Sequence, residues 1–209
     1  MTFAQNRYGT LIYRNLLENC KKIVEEAKKG VGEFQILINN AGSQMEQPSL
    51  LELSSEQIED TFKTNIFSMF YITKASLPHL KRGAAIVNCA SINHYVGHPK
   101  LIEYLLLLVA TNCSYTSTKG AIVAFSRALA NSLSSEGIRV NVVAPGPIVT
   151  PLVFATMSHD SLKEFGITTP LQRAGQPVEV ATCFVFLASS DSSYISGNVL
   201  HPNGGVVIN

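Results

Sequence analysis

The chain has 209 residues, 46% of them apolar and 15% charged, with 16 basic against 15 acidic side chains and a formal net charge of +1. A charged share well below the usual level of about 25% excludes intrinsic disorder and implies extensive burial, within or between subunits. The even balance leaves no basic excess to neutralise a nucleic-acid backbone and no polybasic block for an anionic membrane. The four cysteines, Cys20, Cys89, Cys113 and Cys183, lie far apart without a CxxC pair, and read as small buried residues in a reducing compartment. The opening MTFAQNRYGT has neither the basic nor the apolar region of a secretory signal, and the longest strongly apolar run, 105–110, falls far short of the ~20 residues that cross a membrane. A soluble, cytoplasmic protein is expected. No linker divides the chain, so residues 1–209 are expected to form a single domain.

Two kinds of segment alternate. Residues 16–29 carry Leu16, Cys20, Ile23, Val24 and Ala27 on one helical stripe, and a buried strand follows at 35–39 (QILIN). A second long helix is predicted over 55–80, opened by Ser54-Ser55-Glu56, and a second strand at 85–88 (AIVN). A third helix spans 116–135, with Gly137 placed to end it in the left-handed conformation, and leads to the strand 139–143 (RVNVV). Pro177 and Glu179 suit the first turn of a helix over 178–189, which precedes the last strand, 198–201 (NVLH). Strands that are apolar throughout and alternate with helices predict a parallel sheet covered on both faces, an α/β doubly wound fold. Such a fold normally binds a nucleotide on a glycine-rich turn after its first strand, yet no GxGxxG stands near the N-terminus, where the first 29 residues hold only Gly9.

Three sites fall at strand ends, where an open α/β sheet binds ligands. Asn39-Asn40-Ala41-Gly42 follows the first strand, with small residues that allow close backbone approach and asparagines able to brace the neighbouring strand turn. Ser91 follows the second strand. Tyr115 and Lys119 stand one helical turn apart at the head of the third helix. An ammonium beside a phenol favours the phenolate, a phenol so tuned exchanges protons near neutral pH, and a serine hydroxyl can bind the oxygen on which charge develops. That chemistry suits hydride transfer to a carbonyl. His94 and His98 are spaced like metal ligands, but they flank Gly97 in a loop with no thiol or carboxylate nearby, so no metal is expected and His94 is a candidate for the substrate pocket. GxSxG does not occur, which removes the serine-hydrolase alternative.

NNAG, Ser91, the YxxxK of Tyr115 and Lys119, Pro145-Gly146-Pro147-Ile148-Val149-Thr150 and LHPNGG, in that order, resemble the short-chain dehydrogenase/reductase family, and TSTKGAIVAFSRALA, RAGQPVEVA and SSYISGNVLHPNGG resemble its glucose/ribitol-dehydrogenase-like and aldehyde-reductase-like members. The resemblance covers residues 23–209. It implies an NAD(P)-dependent homo-oligomeric oxidoreductase that interconverts an alcohol and a small aldehyde, ketone or polyol. Tyr115 would exchange the proton, Lys119 would tune it and bind the nicotinamide ribose, Ser91 would orient the substrate oxygen, and Asn65 would hold a relay water. Asn40, Ala41 and Gly42 would line the adenosine side of NAD or NADP, and Pro145, Gly146, Ile148 and Thr150 the nicotinamide end.

The chain departs from the family pattern twice. Strands one to three and the glycine-rich turn are missing, which turns QILIN into a bare edge and weakens cofactor binding. The family's spacing from the serine falls on Tyr104 rather than Tyr115, and deleting either 104–114 or 105–115 restores the usual IEYTSTKGAI. Tyr115 is the assigned proton carrier because it lies one turn from Lys119, with Tyr104 the alternative. An inactive family remnant that survives as an interaction protein is the competing expectation.

Overall fold

The computed structural model describes residues 15–45, 47, 50–95, 113–157 and 159–208. Four parallel strands, β1 (Ile36–Asn39), β2 (Ala85–Cys89), β3 (Arg139–Val143) and β4 (Val199–Leu200), pair in chain order, with Leu37 opposite Ile86 and Ile86 opposite Val140. The helices are α1 (Leu16–Val31), α2 (Ser55–Phe62), α3 (Ser68–Ser76), α4 (Cys113–Leu133), the short α5 (Pro151–Thr156) and α6 (His159–Lys163), and α7 (Pro177–Ala188). The architecture is α/β, as the sequence predicts.

Local signals set the element ends. The Ser54 hydroxyl accepts from the Gln57 N–H at 3.1 Å and caps α2, and Gly137 takes the left-handed conformation (φ 74°) that stops the chain after α4. Pro177 occupies the first turn of α7, with Gln176 and Glu179 forming a capping box. The predicted helix over 55–80 is interrupted. Lys63–Phe67 forms a π turn between α2 and α3, and a 3-10 turn closes the segment at Leu77–His79. The extra residue of the π turn brings Asn65 to 1% exposure in the interior, an arrangement common at functional sites.

Each sheet face has its own cover. Ile86, Val140 and Val142 meet Ile122, Val123, Ala130 and Leu133 of α4 together with Ile66 and Met69. Val87 and Val143 on the other face meet Val180, Phe184 and Leu187 of α7. The Arg139 guanidinium donates to the Leu187 and Ser189 carbonyls and to the Ser192 hydroxyl, satisfying the C-terminal end of α7. The coverage fails at β1. Ile36 and Ile38, in register with Ala85 and Val87 on the α7 side of the sheet but beyond the cover of that helix, are 50% and 46% exposed, so the first strand is not buried on both faces. The bare edge expected at QILIN is present among the described residues. The cysteines differ from expectation in one respect. All four are free, and Cys20 is buried and Cys89 and Cys183 half-buried, but Cys113 at the start of α4 is exposed.

Asparagines join the strands below the functional edge. The Asn39 amide donates to Asn88 Oδ1 at 2.8 Å and to Thr73 Oγ1 at 3.1 Å, and Asn88 Nδ2 donates to Ser126 Oγ at 2.9 Å. This chain ties β1 to β2, α3 and α4, the bracing that the NNAG segment suggests. Asn88 is fully buried, so Asn88→Ala leaves partners stranded in a dry interior. The expected outcome is a loss of about 1–3 kcal/mol in a urea unfolding measurement.

Candidate active site

The C-terminal ends of β1, β2 and β3 release the loop 40–45, the Ala90-Ser91 turn and the Ala144–Thr150 segment along one edge, with the first turns of α4 above them. Lys119 is 3% exposed, and its Nζ donates to the Cys89 carbonyl at 2.9 Å. The same ammonium lies 5.2 Å from the centroid of the Tyr115 ring. The Tyr115 phenol interacts with the Ser91 side chain, and Ser91 also accepts from the Asn93 N–H at 3.3 Å. Ser91, Tyr115 and Lys119 therefore meet at one place. Tyr104 and His98 lie outside the described residues.

The electrostatics differ from the expected phenol–ammonium pairing. Lys119 lies over the Tyr115 ring, and it is not among the groups that shift the phenol. Burial and the neighbouring Cys89 thiol push the Tyr115 pKa up to about 12, against a smaller downward pull from Ser91. Burial also lowers the Lys119 pKa and raises that of Cys89. In this state the site holds a neutral phenol, a proton donor.

Asn65 works through its side chain. Oδ1 accepts from the Ser43 N–H at 2.8 Å, and Nδ2 donates to the Ser43 carbonyl at 2.9 Å and to Thr118 Oγ1 at 3.0 Å. Both amide hydrogens are committed to tying the loop 40–45 to the helix that carries Lys119. Gly42 lies in the gap between them. A Cβ there would stand 3.4 Å from Asn65 Oδ1 and 3.6 Å from Lys119 Nζ, ordinary contact distances. Asn40, Ala41 and Gly42 are exposed along this edge.

The downstream segment has structural duties. A Cβ on Gly146 would come within 2.7 Å of the Asn203 Cα, so glycine there lets the last loop approach. Ile148 bridges to Gly175, and Thr150 caps α5. Pro145, Gly146, Ile148 and Thr150 are half-buried, and they line the same edge. The sequence missed Cys89, whose carbonyl holds Lys119 and whose thiol faces both Lys119 and Tyr115, and also Ser43 and Thr118, the partners of Asn65. A β-strand alternation from Ser91 back to Cys89 was the available signal for the first.

A family model described as enoyl-(acyl carrier protein) reductase matches residues 16–207. The chain belongs to the short-chain dehydrogenase/reductase family. It is 46% identical over 192 residues to the glucose and ribitol dehydrogenase of Daucus carota, covering 92% of this chain and 62% of that protein. It is 48% identical over 193 residues to the NADPH-dependent aldehyde reductase 1, chloroplastic, of Arabidopsis thaliana, covering 92% and 63%. The crystal structure of a short-chain dehydrogenase/reductase, glucose/ribitol dehydrogenase, from Brucella melitensis superposes with a TM-score of 0.80 at 31% identity, covering 92% of this chain and 73% of that one. The chain thus spans less than two thirds of the length of these two curated relatives.

The raised Tyr115 pKa makes a measurable statement. A free phenol titrates near pH 10 or so. A group whose folded pKa exceeds its unfolded value stabilises the fold fully below the unfolded value and loses that contribution as pH rises through the folded one. Tyrosinate absorbance of the folded protein is expected to show a late titration near pH 12 that Tyr115→Phe removes.

Proposed function

We propose that the protein is an NAD(P)-dependent oxidoreductase that interconverts an alcohol and a carbonyl, with a small aldehyde, ketone or polyol as substrate. The observation that carries this reading is the meeting of the Tyr115 phenol, the Ser91 hydroxyl and the Lys119 ammonium at the sheet edge. The names of the carrot and Arabidopsis relatives support the substrate class, and the latter supports NADPH.

The residues present fit the nicotinamide half of such a cofactor. Lys119 has three N–H donors and, among the described residues, one hydrogen bond, to Cys89, which leaves donors for ribose hydroxyls. The missing Cβ of Gly42 leaves a cradle beside that ammonium, next to Asn65 Oδ1 and the Asn40 carbonyl, and in this reading Asn40 and Ala41 would line the adenosine side and Pro145, Gly146, Ile148 and Thr150 the nicotinamide end. No glycine-rich turn for the pyrophosphate lies among the described residues. When bound, a reduced nicotinamide supplies the hydride.

The chain's own groups handle the oxygen. Ser91 donates to the substrate carbonyl oxygen and orients it. Tyr115, neutral at physiological pH, gives its proton to that oxygen as negative charge develops there. Lys119 stabilises the phenolate left behind, and its contact with the ring keeps it within reach of that charge. Asn65 positions the loop 40–45 against α4 and, with both amide hydrogens spent, would hold a relay water through its remaining acceptors.

In the same reading residues 1–209 form one partial family domain that works in the cytoplasm as a homo-oligomer. Four unbridged cysteines support a reducing compartment. Exposed apolar side chains on α7, Val178 and Val185, and Tyr194 beyond it, support association. A second reading, an inactive remnant that acts as an interaction protein, is favoured by the uncovered Ile36 and Ile38 of β1.

Titration with NADH and NADPH decides between them. Saturable binding supports the enzyme, and its absence at about 5 mM, beyond the weakest useful affinity, supports the remnant. For the enzyme, Tyr115→Phe is expected to lower kcat for carbonyl reduction by about 10²–10⁴-fold with binding of the cofactor retained. Gly42→Ala is expected to change the unfolding free energy by less than about 0.5 kcal/mol while weakening cofactor binding, because its methyl fills the cradle without a clash.

A further inference from the structure

A second polar cavity, of about 370 Å³, opens between α4 and the start of β4 and is lined by Arg127, Tyr95, Ser196, Asn198 and His201 with backbone around them. It does not include Ser91, Tyr115 or Lys119. Its chemistry is one-sided. Among the described residues no carboxylate lines it, and Arg127 has neither an ion pair nor a hydrogen bond. Two acceptor atoms on the wall are each engaged once. Ser196 Oγ accepts from the Val140 N–H at 3.3 Å, and Asn198 Oδ1 accepts from the Val199 N–H at 2.7 Å. Donors predominate among what remains: the Arg127 guanidinium, the Ser196 hydroxyl proton and the Asn198 amide hydrogens, beside the Tyr95 hydroxyl, which can donate or accept. His201 adds Nε2, which is buried and without a partner among the described residues, a donor or an acceptor according to tautomer. A buried polar atom left unmatched points to a ligand or water that the wall is built to meet.

We propose that this cavity binds a small oxyanion, a carboxylate or a phosphate, on Arg127, Ser196, Asn198 and His201. A guanidinium fork matches two oxygens of either group, and a neutral hydroxyl compound would bring as many donors as acceptors to a wall that has donors to give. The site communicates with the Ser91 segment through one ring. His94 stacks on His201 with centroids 6.3 Å apart and planes 21° from parallel, and its Nδ1 bonds to the Ser91 carbonyl. The inference does not depend on the proposed oxidoreductase activity, and its test reads no turnover.

The imidazole proton resonances of His94 and His201 are followed in the intact chain during titration with inorganic phosphate, acetate and glycerol at constant ionic strength. Saturable shifts with phosphate and acetate at Kd on the order of 1 mM, and none with glycerol, are the expected result. Arg127→Gln is expected to weaken phosphate binding at least about tenfold, the loss of one charge-assisted pair, while Lys22→Gln, an exposed cation on α1, leaves it unchanged. Asn198→Asp, nearly isosteric, is expected to weaken it by charge repulsion, and thermal melting shows that each variant is folded. Acetate and phosphate of equal strength indicate a site for either anion, and preference for one names the source chemistry. Equal response to glycerol, an unaffected Arg127→Gln, or no saturable shift with either anion overturns the proposal.

Discussion

The candidate site depends on a buried charge. Lys119 keeps its ammonium at the head of α4 with almost no contact with water, and a charge so placed is costly unless it is hydrogen-bonded. Its hydrogen-bond partner is a backbone carbonyl, that of Cys89, which β2 holds in fixed register between β1 and β3. The position of Lys119 is therefore set by the sheet rather than by a flexible acid. A carbonyl removes part of the desolvation cost without neutralising the cation, and so leaves its field available to whatever develops negative charge nearby. An aspartate in the same place would neutralise that field.

The surroundings follow from that placement. The π turn at Lys63–Phe67 carries Asn65 inward, and its amide joins the loop after β1 to Thr118, the residue beside Lys119. Gly42 is kept small in the gap that this clamp defines. Beneath it, Asn39, Asn88 and Ser126 bond across two strands and a helix, so that the loops at the strand ends start from a braced platform. A site assembled from four separate chain segments needs such a platform, because each hydrogen bond alone contributes only about 1 kcal/mol.

Much of this was legible in the sequence, for reasons that can be traced to particular residues. The strand runs RVNVV and AIVN are apolar because both faces are covered, and their order predicted the parallel sheet. Gly137, Ser54 and Pro177 mark ends by backbone chemistry that does not depend on distant contacts. The spacing of Tyr115 and Lys119 guarantees a shared helical face and put them together. It did not determine how they would meet. Whether an ammonium lies beside a phenol oxygen or over its ring depends on the Cys89 carbonyl, which lies 30 positions away from Lys119 and competes for it. The π turn was illegible for a related reason, since KTNIF has the same periodicity as the helices on either side of it.

The exposed face of β1 shows where local pattern and tertiary context part. QILIN has the composition of a strand covered on both sides, and its Leu37 and Asn39 do face helices. Ile36 and Ile38 project from the opposite face, beyond the reach of α7, so the sequence is apolar where the described residues supply no neighbour. Parallel sheets rarely leave such a face open, because a crossover helix normally accompanies each added strand. The alternation of β1 thus retains the imprint of a layer that its described surroundings do not contain. The loop that follows this strand carries Asn40, Ala41 and Gly42, so the integrity of one wall of the site and the covering of those two isoleucines are linked through a single four-residue strand.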